Sequence, residues 1–192
     1  MLYAKDFREA AGKSLMGCWG MAVITALLYS FLSGALQATL IGMIVLGGPL
    51  WFGYHSFWLK QIRWQKPDIG MLFEGLQKCL VNSIAVYLLQ GIFTFFWSLL
   101  FVIPGIIKMY SYAMAPYILA DNPDMDAMEV IDTSRNMMNG NKWSLFCLDL
   151  SFIGWHILCA LSMGIGYLWL SPYIACARAH FYETVKAEYQ NK

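Results

Sequence analysis

Charge is what this sequence has least of. Asp, Glu, Lys and Arg make up 13% of its 192 residues, about half the roughly 25% of an ordinary soluble domain. Between Ser14 and Leu59 there is none of them over 46 residues, which excludes a fold whose whole surface is solvated by water. A net charge of +1 and the lack of a basic footprint exclude a nucleic-acid partner. The five cysteines, Cys18, Cys79, Cys147, Cys159 and Cys176, are odd in number, have no CxxC spacing and lie in or beside apolar segments, so they read as small buried hydrophobes. No HExxH, Gly-x-Ser-x-Gly, phosphate-cradling glycine loop or cysteine-histidine metal spacing occurs. Neither an enzyme, a cofactor nor a metal centre is therefore expected. A cleaved leader is not expected either, because Lys5, Asp6, Arg8 and Glu9 give a mixed-charge opening and the apolar stretch behind them exceeds the roughly 7 to 15 residues of such a peptide.

What is present is apolar length. Hydrophobic residues reach 59% and aromatic residues 16%. The uncharged run is about twice the roughly 20 residues that one helix needs to cross a bilayer, and hydrocarbon forces such segments into helices because nothing there satisfies a bare amide. Charge gaps and breakers predict six spans: about Gly17 to Leu36, Thr39 to Ile62, Leu80 to Val102, Pro104 to Ala120, Lys142 to Met163 and Ile165 to Lys186. The fourth is short and carries Lys108 and Pro116, so it either tilts little or sits partly re-entrant. The expected class is an all-α membrane protein, a single domain over 1–192 made of units 1–62, 63–122 and 123–192.

Every Lys and Arg except Lys108 falls at the amino terminus (Lys5, Arg8, Lys13), between spans two and three (Lys60, Arg63, Lys66, Lys78), between four and five (Arg135, Lys142) or at the carboxy-terminal end (Arg178, Lys186, Lys192). With six spans these regions share one side, and the positive-inside rule makes it cytoplasmic, with both termini there. The other side has only short uncharged connections at Ser33-Gly34 onward, Ile103-Pro104-Gly105 and Met163-Gly164-Ile165-Gly166.

An offset of 62 residues relates three stretches. Phe7, Ala10, Ala11 and Ser14 form the stripe of an amphipathic helix at an interface; they map onto Ile69, Leu72, Phe73 and Leu76, then more weakly onto Ile131, Ser134, Arg135 and Met138. Trp19, Val81 and Trp143 correspond at span entrances. Three units are expected, each an amphipathic cytoplasmic helix followed by a hairpin whose second helix holds a proline: Pro49, Pro116 and Pro172. The segment from Asp121 to Asp126 lacks the glycine and closing glutamate of an EF-hand. Asn122 as N-cap, Pro123 at the first helical position and Asp124 and Asp126 in the first turn account for it, with Asn139-Gly140 as the stop.

Ionisable groups inside apolar spans carry the functional interest, since each costs several kcal/mol there unless paired or wet. Asp149 and Arg178 both lie roughly 10 to 12 Å inside the cytoplasmic boundary on adjacent antiparallel spans. They are expected to pair, as a structural staple or as a transported-ion site. Lys108 beside Tyr110 and Tyr112 either snorkels to the outer interface or binds an anionic headgroup. His55 lies near Trp58, Lys60 and Trp64, as an interfacial anchor. His156, about 21 Å deep beside Trp155, is either a neutral hydrogen-bonded side chain or a proton relay. His55, Lys108 and His156 are thus the candidates for a polar path or for headgroup contacts.

Several stretches carry a resemblance: Ile103-Pro104-Gly105-Ile106-Ile107-Lys108, Ala120-Asp121-Asn122-Pro123, Ser134 through Lys142, Leu148 through Trp155, Gly164-Ile165-Gly166, Pro172-Tyr173, and Ala179-His180-Phe181-Tyr182-Glu183. Through them the chain resembles a bacterial family of integral membrane proteins, domain of unknown function number nine hundred and seventy-five. The resemblance implies six helical spans and a distant kinship with membrane domains fused to glycerophosphodiester phosphodiesterases. It implies no catalytic residue. The functional expectation is a non-enzymatic module in the bacterial cytoplasmic membrane that binds lipid or a partner protein, or a homo-oligomer; the alternative is a small transporter or channel.

Overall fold

The computed structural model describes residues 4–37, 40–63, 65, 68–100 and 102–191. Thr39, Trp64, Lys66 and Lys192, used above as a span start, an anchor and cationic positions, lie outside the described residues. Among those described there is no strand. The chain runs through α1 (Ala4–Leu15), α2 (Trp19–Gln37), α3 (Leu40–Ile62), a 3-10 segment (Ile69–Phe73), α4 (Glu74–Lys78), α5 (Leu80–Leu100) and α6 (Val102–Tyr112). It continues through α7 (Ala115–Asp121), α8 (Ala127–Met137), α9 (Lys142–Leu150), α10 (Ile153–Leu161) and α11 (Tyr167–Gln190). Three stretches, Trp19–Leu36, Leu80–Leu99 and Lys142–Leu161, are long and apolar enough to cross a membrane. The last of them is broken by a turn at Ser151 and Phe152, where the Ser151 hydroxyl donates to the Leu148 carbonyl at 2.7 Å.

These three stretches bury little of themselves inside the fold. Large apolar side chains such as Phe31 on α2, Phe95 on α5, Ile106 on α6 and Leu161 on α10 stand exposed. The core lies elsewhere. Phe57, Trp58 and Leu59 are consecutive and all buried, so the second half of α3 is enclosed on every side, as a central helix is. Against α3 pack α1, the 3-10 segment, α4, α7 and α11, and α8 packs in turn on α5 and α7, with Leu15, Leu72, Leu119, Val130 and Phe181 fully covered.

Local structure departs from the sequence reading at four places. The predicted fourth span, Pro104 to Ala120, is interrupted at Ala113 and Met114, and Pro116 opens α7 in its first turn instead of bending a long helix. Pro49 and Pro172 do lie inside α3 and α11. The predicted stripe Ile69, Leu72, Phe73 and Leu76 is no continuous amphipathic α-helix: it is the 3-10 segment followed by α4, with Leu72 buried and Phe73 exposed. This segment lies so close against α3 that a Cβ at Gly53 or Gly75 would collide with the backbone of Leu72 or Pro49.

The α1 stripe is also used differently. Phe7, Ala11, Ser14 and Leu15 face protein: Phe7 meets Phe181 edge-on at 5.3 Å, the Ser14 hydroxyl bonds His180 Nε2 at 2.8 Å, and Gln61 donates to the Ser14 carbonyl at 3.1 Å. Finally, Asn122 ends α7, and the cap of α8 is Asp126, whose carboxylate accepts from the Met128 amide at 3.0 Å. The intervening turn is held by Asn82, which donates to the Pro123 and Met125 carbonyls. Gly140, with φ of 89°, closes the stretch after α8, a left-handed position that suits glycine.

Candidate functional site

On α3, Trp51, Tyr54, His55 and Trp58 recur at the i, i+3, i+4, i+7 spacing and so share one helix face. His55 turns its ring back along the helix, and Nδ1 donates to the Trp51 carbonyl at 2.7 Å. A carbonyl only accepts, so the neutral ring carries its proton on Nδ1 and leaves Nε2 as an acceptor. The ring stands edge-on to Tyr117 of α7 at 4.9 Å. Tyr54 stacks on Tyr29 of α2 at 4.2 Å, and its hydroxyl lies 3.5 Å from the Ser171 hydroxyl of α11. On α11, Tyr167, Ser171 and Arg178 fall four and seven residues apart, again one helical stripe.

These stripes converge on a cavity of about 300 Å³ lined by Tyr29, Tyr54, His55, Tyr117, His156 and Arg178 among others. His156 enters from α10 and meets the Tyr167 hydroxyl through Nδ1 at 3.4 Å. Arg178 is held on one side only. Its Nε and Nη2 donate to the Asp149 carboxylate at 2.9 to 3.1 Å, and the Tyr110 hydroxyl adds a bond to Asp149 at 3.1 Å. The Arg178 side chain remains 44% exposed against 20% for Asp149, and Nη1 has no partner among the described residues. The structure therefore brings Asp149 and Arg178 into contact and joins His55 and His156 to Arg178 at one cavity. It leaves Lys108 apart, with Nζ 4.6 Å from the Trp97 ring centroid, a cation-π contact within the α5–α6 pair.

A second polar cluster ties helix ends together. Arg63, just past α3, donates from Nη1 and Nη2 to the Asp121 carboxylate at 2.7 and 3.0 Å and from Nε to Glu183 at 2.6 Å. Tyr182 and Lys186 of α11 donate to the same Asp121. Burial alone would push the Asp121 carboxyl up; the hydrogen bonds from Arg63, Lys186 and Tyr182 outweigh it and hold the group below the ordinary carboxylate value. Glu74 is treated the same way: burial raises it, and Lys78 and Lys60, which both donate to it, bring it lower still. Among the described residues no group of three His, Cys, Asp or Glu side chains could hold a metal ion.

Sequence reasoning had named Asp149, Arg178, His55 and His156 separately, and it missed the tyrosines. Tyr29, Tyr54 and Tyr117 have no charge to draw attention in an apolar span. The helical spacing of Tyr167, Ser171 and Arg178 was a visible signal, but nothing local says which helix that stripe faces. The cavity can offer hydrogen-bond donors, from Arg178 Nη1 and the tyrosine hydroxyls, together with an acceptor at His55 Nε2.

Residues 99–189 match a family described as "Protein of unknown function (DUF975)". That stretch contains Tyr117, Asp149, His156 and Arg178 and does not reach Tyr29, Tyr54 or His55. No curated protein and no solved structure matches the chain.

Proposed function

We propose that this chain is a non-enzymatic module of the cytoplasmic membrane of bacteria that binds lipid. The observation that carries the reading is a hydrogen-bonding cavity set among helices that expose apolar side chains, an arrangement suited to holding a polar headgroup beside hydrocarbon. In this reading α2, α3, α5, α6 with α7, α9 with α10, and α11 are six membrane segments of about 20 residues, the length a bilayer asks for. The end of the fold that holds Arg63, Asp121 and Lys186 faces the cytoplasm with both termini, following the bias of the cations.

Flotation of the purified chain with liposomes tests the lipid reading. Binding should rise with the fraction of anionic phospholipid and fall with salt; binding indifferent to lipid charge would remove it. A second reading, a small transporter, is favoured by two histidines lining one cavity. It requires flux across proteoliposomes under a proton or ion gradient that His156→Ala abolishes.

A further inference from the structure

The polar cavity does not end at Tyr29. That side chain also lines a neighbouring cavity of about 160 Å³ bounded by Gly47, Trp51 and Tyr87. Trp51 and Tyr87 in turn line a third, of about 660 Å³, whose far wall is Ile92, Phe95, Phe96 and Met109. The first two cavities follow α3 from His55 past Trp51 to Gly47, roughly 12 Å at 1.5 Å per residue, and the third continues the row from Trp51 and Tyr87 along α5. The chemistry changes along the row: an arginine, two histidines and tyrosine hydroxyls at one end, and at the other mostly aliphatic and aromatic side chains, with Gln90, Thr94 and Ser98 among them.

We infer that this row is one amphipathic cleft that takes a single phospholipid, with its phosphate at Arg178, Tyr117 and Tyr29 and one acyl chain beside Ile92, Phe95 and Phe96. The inference rests on the lipid-binding reading above and names the site and the ligand. At the polar end, Arg178 spends the Nε and Nη2 side of its fork on Asp149 and keeps Nη1 to donate to an acceptor oxygen in the cavity. Tyr117 is only 2% exposed, lines the cavity, and its hydroxyl has no partner among the described residues. That unpaired hydroxyl opens on the cavity, where it can donate to an acceptor held there. A volume of about 300 Å³ equals roughly ten waters at about 30 Å³ each, enough for a small headgroup and too little for its chains. Because Asp149 already neutralises Arg178, the pocket has no strong field with which to retain a free anion. The chain in the apolar arm is what holds the phosphate there.

The test titrates the detergent-purified chain with dihexanoyl phosphatidylglycerol, followed by tryptophan fluorescence through Trp51, with inorganic phosphate and dihexanoylglycerol as parallel probes. Tyr117→Phe removes one donor; Gly91→Leu fills the apolar arm from a position where an added Cβ meets no atom within 4 Å. Saturable binding of the phospholipid is expected, weakened about tenfold or more by either variant, with much weaker binding of the two half-ligands. If Gly91→Leu does not fold, Tyr29→Phe takes its place beside Tyr117→Phe. Equal affinity of wild type and variants overturns the cleft, and inorganic phosphate binding as tightly as the lipid overturns its apolar arm. Flotation that still depends on anionic lipid while the variants bind as wild type sinks this inference alone. Flotation indifferent to lipid charge sinks the lipid-binding reading with it.

Discussion

The two halves of α3 lie in different surroundings. In its second half, Phe57, Trp58 and Leu59 are covered on all sides, with α1, the 3-10 segment, α4, α7 and α11 packed against the helix, and charged groups at the helix end are cross-linked through Arg63, Asp121 and Glu183. Alongside its first half, α2 and α5 leave Phe31, Ile92 and Phe95 uncovered. One helix therefore runs from a region that supplies its own packing into a region that leaves much of its apolar surface to the surroundings. The enclosed half is the less apolar one, with His55, Ser56, Lys60 and Gln61 in it, so apolar composition does not by itself say whether a side chain faces protein. The polar cavity sits where the two regions meet, with His55 and Tyr54 on α3 between them.

The comparison breaks first on equal truncations. Phe57→Ala, at a fully buried position, should cost about 3 to 5 kcal/mol, while Phe31→Ala, at 77% exposure, should change stability by no more than about 0.5 kcal/mol. Thermal denaturation in detergent measures both, and similar losses would dissolve the distinction. Next in size is a charge on the uncovered side: Leu27→Lys on α2 should cost about 2.5 to 3.5 kcal/mol of membrane insertion if that helix centre lies in lipid. Glu129→Lys on the exposed face of α8 should cost nothing measurable. Carbonate-resistant membrane fractions of the two variants decide the matter.

On the packed side, Asp121→Ala should lose about 2 to 3 kcal/mol, less than for a fully enclosed pair, because Arg63 and Lys186 remain 32% and 27% exposed. The same cluster predicts a pH dependence. Asp121 and Glu74 both have lowered values in the folded protein. Their contribution is therefore complete above the ordinary carboxylate range near pH 4 and disappears as the pH falls through the lowered values. Melting temperature should drop on acidification below about pH 4, by less in Asp121→Ala. The smallest effect sharpens a boundary: Asp126→Ala should cost about 1 kcal/mol by removing the α8 cap, with Asn122→Ala costing less, as read by thermal melts.

Much of the helical content was legible in advance. Uncharged runs marked α2, α3 and α5, and the stop at Gly140 was visible as a local signal. The cap of α8 was missed because Asn122, Asp124 and Asp126 offer the same chemistry two residues apart, and the choice among them is made by Asn82, which pins the preceding turn from another helix. The 3-10 segment was missed for a similar reason. Its stripe fits an α-helix, but the close approach of Gly53 and Gly75 to its neighbours dictates its path. At the candidate site, ionisable residues could be picked out one by one because charge is rare here; the tyrosines around them could not.

Composition alone decides that this chain is helical and rich in uncharged segments long enough for a bilayer, because the cost of exposing or burying each residue is nearly additive along the chain. Which of those segments wraps itself in protein, and which of Tyr29, His55, Tyr117, His156 and Arg178 share one cavity, is decided by the depth and rotation of each helix against its neighbours. Those contacts join different helices, such as His55 with Tyr117 and Tyr54 with Ser171, and a periodic pattern repeats every turn without naming the partner it faces.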